Sequence, residues 1–238
     1  VQALNDKAAS VRSRAAFALA KTRQPVPEAV PRLTAMLSDS DRQCRFAAAF
    51  ALGRVATSAE APLPELRRLQ GEVDPYVRAS AALSLWRFAG DSHSTIRTLL
   101  DILETENGRF FAVECLGEMG AEAKSALPAL WSAVQTRPAD TGEMDRELPG
   151  LRLQAAEAIV KIYPPSPEAI SVIIQAMNEA PWLTSRGIVT LGQLGPIAKS
   201  AIPTLEKALG GTNEAIRRVA AEALRKIAQQ RGVNGTNK

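Results

Sequence analysis

The sequence predicts an all-α protein, a solenoid of about seven helical hairpins, on three observations. The chain overlays on itself at a nearly fixed spacing. Each repeat carries two stripes of helical period, and the apolar residues are mostly small or aliphatic. A period has to be sought first, because a missed repeat misassigns everything after it.

Seven segments align: VRSRAAFALA (11–20), CRFAAAFALG (44–53), VRASAALSLW (77–86), RFFAVECLG (109–117), LRLQAAEAIV (151–160), LTSRGIVTLG (183–192) and IRRVAAEALR (216–225). One column reads Leu19, Leu52, Leu85, Leu116, Ile159, Leu191, Leu224, with steps of 31 to 33 residues except for one of 43. A second column reads Arg12, Arg45, Arg78, Arg109, Arg152, Thr184, Arg217. Pro31, Pro64 and Pro203 stand 14 residues ahead of that column, whereas Pro128 stands 24 ahead of Arg152. The same ten residues account for the long step, which places an insertion loop at 137–147. The strongest internal match pairs CLGEMGAEAKSALPAL (115–130) with TLGQLGPIAKSAIPTL (190–205).

Within a unit, Val30, Leu33 and Leu37, or Ile202, Leu205 and Leu209, put apolar residues on one stripe of a first helix. The proline falls near its start, where a missing N–H is tolerated. Turns containing Asp or Asn follow, as at 38–41 and 73–75, with side chains suited to cap the second helix. Val11, Ala15, Ala18 and Leu19 are expected to face inward on that helix. Alanine allows close approach of neighbouring helices and leucine fills the space between units. No hairpin buries its face alone, so stability is shared with its neighbours.

Composition agrees. The 238 residues are 46% hydrophobic but only 5% aromatic, a balance that suits helix packing better than strands. No window approaches the roughly 18 apolar residues of a membrane span, so a soluble protein, with the cytoplasm as the favoured compartment, is expected. The net charge of +4 comes from 29 basic and 25 acidic residues interspersed. That is no concentrated basic face, so nucleic acid is not the favoured partner. Two cysteines and one histidine cannot supply the usual four ligands of a zinc site, and neither a metal nor a cofactor is expected.

An apolar–proline–x–leucine helix, an Asp-containing turn and Val-Arg-x-x-Ala-Ala-x-x-Leu together resemble the HEAT repeat, especially the short bacterial form seen in phycobilin-lyase-like proteins. The resemblance covers nearly the whole chain. It implies a right-handed armadillo/HEAT-like superhelix, first helices convex and second helices concave, with Asp and Arg of adjacent units forming a ladder. Residues 1–238 then form one repeat domain with a flexible tail at 231–238. The opening VQALNDKAASVR matches the end of a first helix and its turn, so the chain is expected to begin mid-repeat, as a fragment.

The ladder reading covers Arg12, Arg45, Arg78, Arg109, Arg152 and Arg217, each beside a residue such as Asp39 or Asp74; a phosphate site is the weaker alternative. If Val11, Ala15 and Ala18 face the core, the columns at 13, 17 and 20 form the inner wall. They hold Phe17, Phe46, Phe50, Leu83, Trp86 and Phe110 in the first four units and mostly charge later. The expectation is an apolar groove for a partner peptide or protein. Ordinary packing of the same rings between helices is the competing reading. Cys44 and Cys115 fall in core columns, and His93 has no acid or nucleophile pattern beside it.

The expected function is therefore a non-catalytic scaffold that holds a protein or peptide on its concave face. Two alternatives stand beside it. One is a nucleic-acid-binding, DNA-repair-glycosylase-like protein, against which Glu114, Glu157 and Glu222 in the groove count. The other is a chromophore lyase or chaperone, suggested by the short repeat form alone.

Overall fold

The computed structural model describes residues 1–57, 62–135, 148–164 and 166–229. Over these it is all-helical, thirteen α-helices joined by short turns and 3-10 segments, an α-solenoid without strands among the described residues. The expected insertion at 137–147 and tail at 231–238 lie outside them. The chain forms two compact units, Val1–Cys115 and Leu116–Lys238.

The first unit contains α1 (Ala9–Thr22), α2 (Val30–Met36), α3 (Arg42–Val55), α4 (Leu63–Leu69), α5 (Pro75–Ala89), α6 (Ser92–Leu103) and α7 (Arg109–Met119) as far as Cys115. The short first helices α2 and α4 each carry a proline in the first turn. The capping residues follow the turns as expected. Asp41 accepts from the Cys44 N–H at 3.0 Å, and Asp74 accepts from the N–H groups of Tyr76 and Val77 at 2.9 and 3.1 Å. Each cap satisfies donors that the first helical turn leaves unpaired.

Second helices pack on second helices, α1 on α3 and α3 on α5, while α2 and α4 close over α3 and α5. Leu33, Leu37, Leu52, Leu66, Leu69 and Leu85 are buried between them. The column at 11, 15 and 18 faces the preceding second helix. Cys44, Ala48 and Ala51 of α3, and Val77, Ala81 and Ser84 of α5, are accordingly sealed. The expectation for α1 needs correction: Val11 is 39% exposed, Ala18 is exposed, and Ala15 and Leu19 are half-buried. No described helix lies on that side of α1. Cys44 is fully buried with Sγ 3.2 Å from the Ala9 carbonyl oxygen, and burial raises its pKa. It is a core thiol.

The column at 20 is also corrected, since it belongs to the stack rather than to an inner wall. Ala20 is buried, and a Cβ added at Gly53 would meet Ser84 Oγ at 2.3 Å. Ser84 Oγ donates to the Ala49 carbonyl at 2.7 Å, so the helices touch through backbone and a hydroxyl.

The second unit continues through α8 (Leu127–Gln135), α9 (Leu148–Ile162), α10 (Pro167–Glu179), α11 (Thr184–Leu194), α12 (Ile202–Leu209) and α13 (Glu214–Gln229). Here Gly117 faces Ala158 and Gly192 faces Ala223 in the same column relation. The strongest internal match folds alike in both copies. Gly120 and Gly195, at φ +58° and +57°, each open a 3-10 segment (Gly120–Ala126, Gly195–Ala201) that turns through Ala123 or Ala198 into a first helix. Positive φ is accessible to glycine at little cost, which explains why both copies retain it.

The arginine column ties turns together. Arg12 donates to both oxygens of Asp39, 27 residues on, at 2.8 and 2.9 Å, and to the carbonyls of Asp6 and Lys7. Arg45 repeats this with Glu72 and with the carbonyls of Asp39 and Ser40. Arg152 reaches Glu179, again 27 residues on, and Arg217 holds the carbonyls of Gly211 and Thr212. Asp74 differs from expectation, pairing with Arg42 rather than Arg45. The rung is absent at Arg78, whose Nε is buried without a partner; Thr105, 27 residues on, carries no charge.

Burial by itself would raise the Asp39 pKa, but hydrogen bonds from Arg12 and the Asp41 N–H, with the charge of Arg12, hold the carboxyl below the usual range. A folded-state pKa below the unfolded value of about 3.9 stabilises the fold above that value, and the gain is lost as pH falls through the folded pKa. Asp39→Asn is therefore expected to lower the urea midpoint at pH 7. The gap from the parent is expected to close as pH drops below about 4; a gap unchanged at pH 3 would contradict this account.

Candidate functional site

On the second helices of the first unit the face left to solvent follows the columns at 10, 14, 17 and 21, one helical stripe at steps of three and four residues. The column at 21 reads Lys21, Arg54, Arg87, Glu118, Lys161, Gln193, Lys226, polar in every repeat. It marks the direction of water. The column at 13 lies at the margin of this face, with Ser13, Ala79 and Leu153 buried.

Five rings meet on this face. Phe17 of α1 lies 5.2 Å from Phe46 and 6.1 Å from Phe50, both on α3. Phe46 in turn touches Tyr76 of α5 at 5.7 Å and Phe111 of α7 at 5.4 Å, and Tyr76 touches Phe111 at 5.8 Å. The four phenylalanines are half-buried, and Phe17, Phe46 and Phe50 rest on the hydrophobic core beneath them. Tyr76 is 41% exposed. The separations suit edge-to-face and tilted aromatic pairs.

Of the six residues expected to form the groove, Phe17, Phe46 and Phe50 come together. Leu83 does not reach the surface: at 1% exposure it is core, because α5 is covered on that side. Trp86 and Phe110 are half-buried, Phe110 with the Arg109 guanidinium 5.9 Å from its ring centre. Sequence reasoning missed Tyr76 and Phe111, which occupy columns 10 and 14. The uniformly polar column at 21 was the signal that the solvent face is rotated toward them.

A depression of about 230 Å³ opens beside Phe46 and Tyr76, bounded by Arg42, Gln43 and Asp74. Asp74 is committed to capping α5 and to Arg42 at 3.2 Å, while the Arg42 side chain is 76% exposed. Arg54 lies 4.3 Å over the Phe50 ring, a cation–π arrangement. Arg14 and Lys21 are exposed on α1, one turn before and after Phe17.

In the second unit the same columns hold charge. Arg186 pairs with Glu157 at 2.7 Å and Thr190 donates to Glu157 at 2.6 Å, while Trp182 stands 65% exposed. His93 is exposed in the first turn of α6. Among the described residues, no group of His, Cys, Asp and Glu is placed to hold a metal ion. No helix there is long and apolar enough to cross a membrane.

The family model for HEAT repeats matches residues 1–86, the stretch that contributes α1 to α5 and most of the ring cluster. Residues 1–86 are HEAT repeats. Beyond these HEAT repeats the likeness is one of structure. The complex of CpcE and CpcF of phycocyanin lyase from Nostoc sp. PCC7120 is similar over 96% of this chain and 85% of that one, with 21% identity and a TM-score of 0.61. A designed armadillo repeat protein aligns over 95% and 97% of the two chains at 17% identity and a TM-score of 0.37. No curated protein sequence matches the chain. The HEAT-type solenoid is thus established as a fold, and repeats of this kind are typically scaffolds.

Proposed function

We propose that the protein is a non-catalytic repeat scaffold that holds a protein or peptide partner on the aromatic strip of its first unit. The observation that carries this reading is the five-ring cluster, half open to water where ordinary packing would close it. Aromatic side chains dominate binding energy at interfaces, and an apolar patch rimmed by polar groups is a common mark of an interaction site. The CpcE–CpcF structure, a complex of two proteins on a similar fold, is consistent with a protein partner. A lyase-like role beside a chromophore is the second reading, drawn from that structure's name, and an absorption band acquired on co-expression with a bilin would favour it.

Phe50→Ser and Tyr76→Ser test the scaffold reading against Trp182→Ser on the second unit. With helicity unchanged by circular dichroism, the strip variants are expected to lose at least tenfold of partner capture while Trp182→Ser retains it. Equal capture by all forms, or loss in Trp182→Ser alone, would refute it.

A further inference from the structure

We infer that the occupant of the aromatic strip is an acidic protein segment carrying an aromatic or aliphatic anchor, a specificity that rests on the scaffold reading above. The charge on the strip is one-sided. Across columns 10, 14, 17 and 21 of the first unit stand Arg14, Lys21, Arg54 and Arg87, against Glu114 as the single carboxylate. Arg42 adds a fifth cation at the mouth of the depression, and the carboxylate it touches is already engaged at the α5 cap. The ladder cations are separate from this set, since Arg12 and Arg45 are saturated by Asp39 and Glu72.

Exposed cations within a Debye length of about 8 Å attract an acidic chain and repel a basic one. The rings beneath them remove apolar anchor side chains from water. The depression between Phe46 and Tyr76, at about 230 Å³, is smaller than the roughly 300–1,000 Å³ of small-molecule sites, so it suits one side chain of a peptide. Arg42 at its rim is placed to meet a neighbouring carboxylate.

A single-stranded nucleic acid shares the negative charge but fits less well. Such binding uses successive ring faces on which bases stack. Here Phe46 meets Phe17 and Phe111 at interplanar angles of 68° and 84°, so these ring faces are turned against one another.

The test uses an array of fluorescein-labelled 15-residue peptides in which Glu pairs or Lys pairs alternate with Leu, Phe or Trp, plus a 15-nucleotide oligo-dT. Binding to the full chain is read by fluorescence anisotropy at 50 and 300 mM NaCl. At least one Glu peptide is expected to bind tenfold or more tightly than its Lys counterpart and to weaken at the higher salt. Arg42→Glu and Arg54→Glu are each expected to weaken it about tenfold, with circular dichroism unchanged. Arg54→Gln serves where Arg54→Glu disturbs folding, with about a threefold loss expected.

Equal binding of Glu and Lys peptides, indifference to the charge reversals, or tighter binding of the oligonucleotide would each overturn the acidic assignment. If partner capture still depends on Phe50 and Tyr76 in that case, the scaffold reading survives and only the charge preference fails. If no peptide binds and capture ignores the strip, both fall.

Discussion

Replacing Leu52 by alanine is expected to destabilise the first unit by about 2–5 kcal/mol, the range for deleting a buried leucine side chain. Leu52 is fully buried, and its helix α3 packs against α1 on one side and α5 on the other. A cavity there has walls held by three helices, which limits collapse around it. Leu224 occupies the same sequence column on α13 but is only half-buried. Its truncation is therefore expected to cost less than half as much. Urea unfolding measures both, and a shift in midpoint at constant m-value isolates stability from changes in compactness. Equal costs at the two positions would mean that the column, rather than burial on both sides, sets the energetics.

Gly192→Ala is expected to destabilise the second unit despite placing a better helix former in α11. The added Cβ would lie 2.8 Å from Ala223 Cα and 2.9 Å from Ala223 Cβ, so α13 has to move as a body. Overpacking of this kind typically costs about 1–3 kcal/mol, against a propensity gain of about 1 kcal/mol from Gly to Ala. Gly210→Ala provides the comparison. Its φ is −78°, its nearest contacts are 3.7 Å or more away, and the expected change is neutral or slightly stabilising. Thermal unfolding of the two variants is expected to move in different directions. A higher melting temperature for Gly192→Ala would remove the close approach of α11 and α13 as an explanation for that glycine.

The strip and the stack draw on the same helices. In the first unit, columns 11, 15 and 18 look back at the preceding helix, column 20 looks forward, and columns 10, 14, 17 and 21 remain for solvent. The partner surface is thus what packing leaves over. That is why Phe17, Phe46 and Phe50 can support the core from below and still present part of each ring to a ligand.

The repeat spacing, the helix pairs, the proline at the start of first helices and the aspartate caps were all legible in the residues, because each follows from local chemistry that recurs at every copy. So were the arginine–carboxylate contacts of Arg12 with Asp39. Tertiary structure decided which face of each second helix meets water. A 3.6-residue period assigns columns to angles, but the direction in which the next hairpin arrives fixes which angle is covered, and that depends on contacts between residues some 33 positions apart. For this reason Leu83 became core, Val11 remained open, and Tyr76 with Phe111 completed a cluster whose first three rings the sequence had already placed on one side.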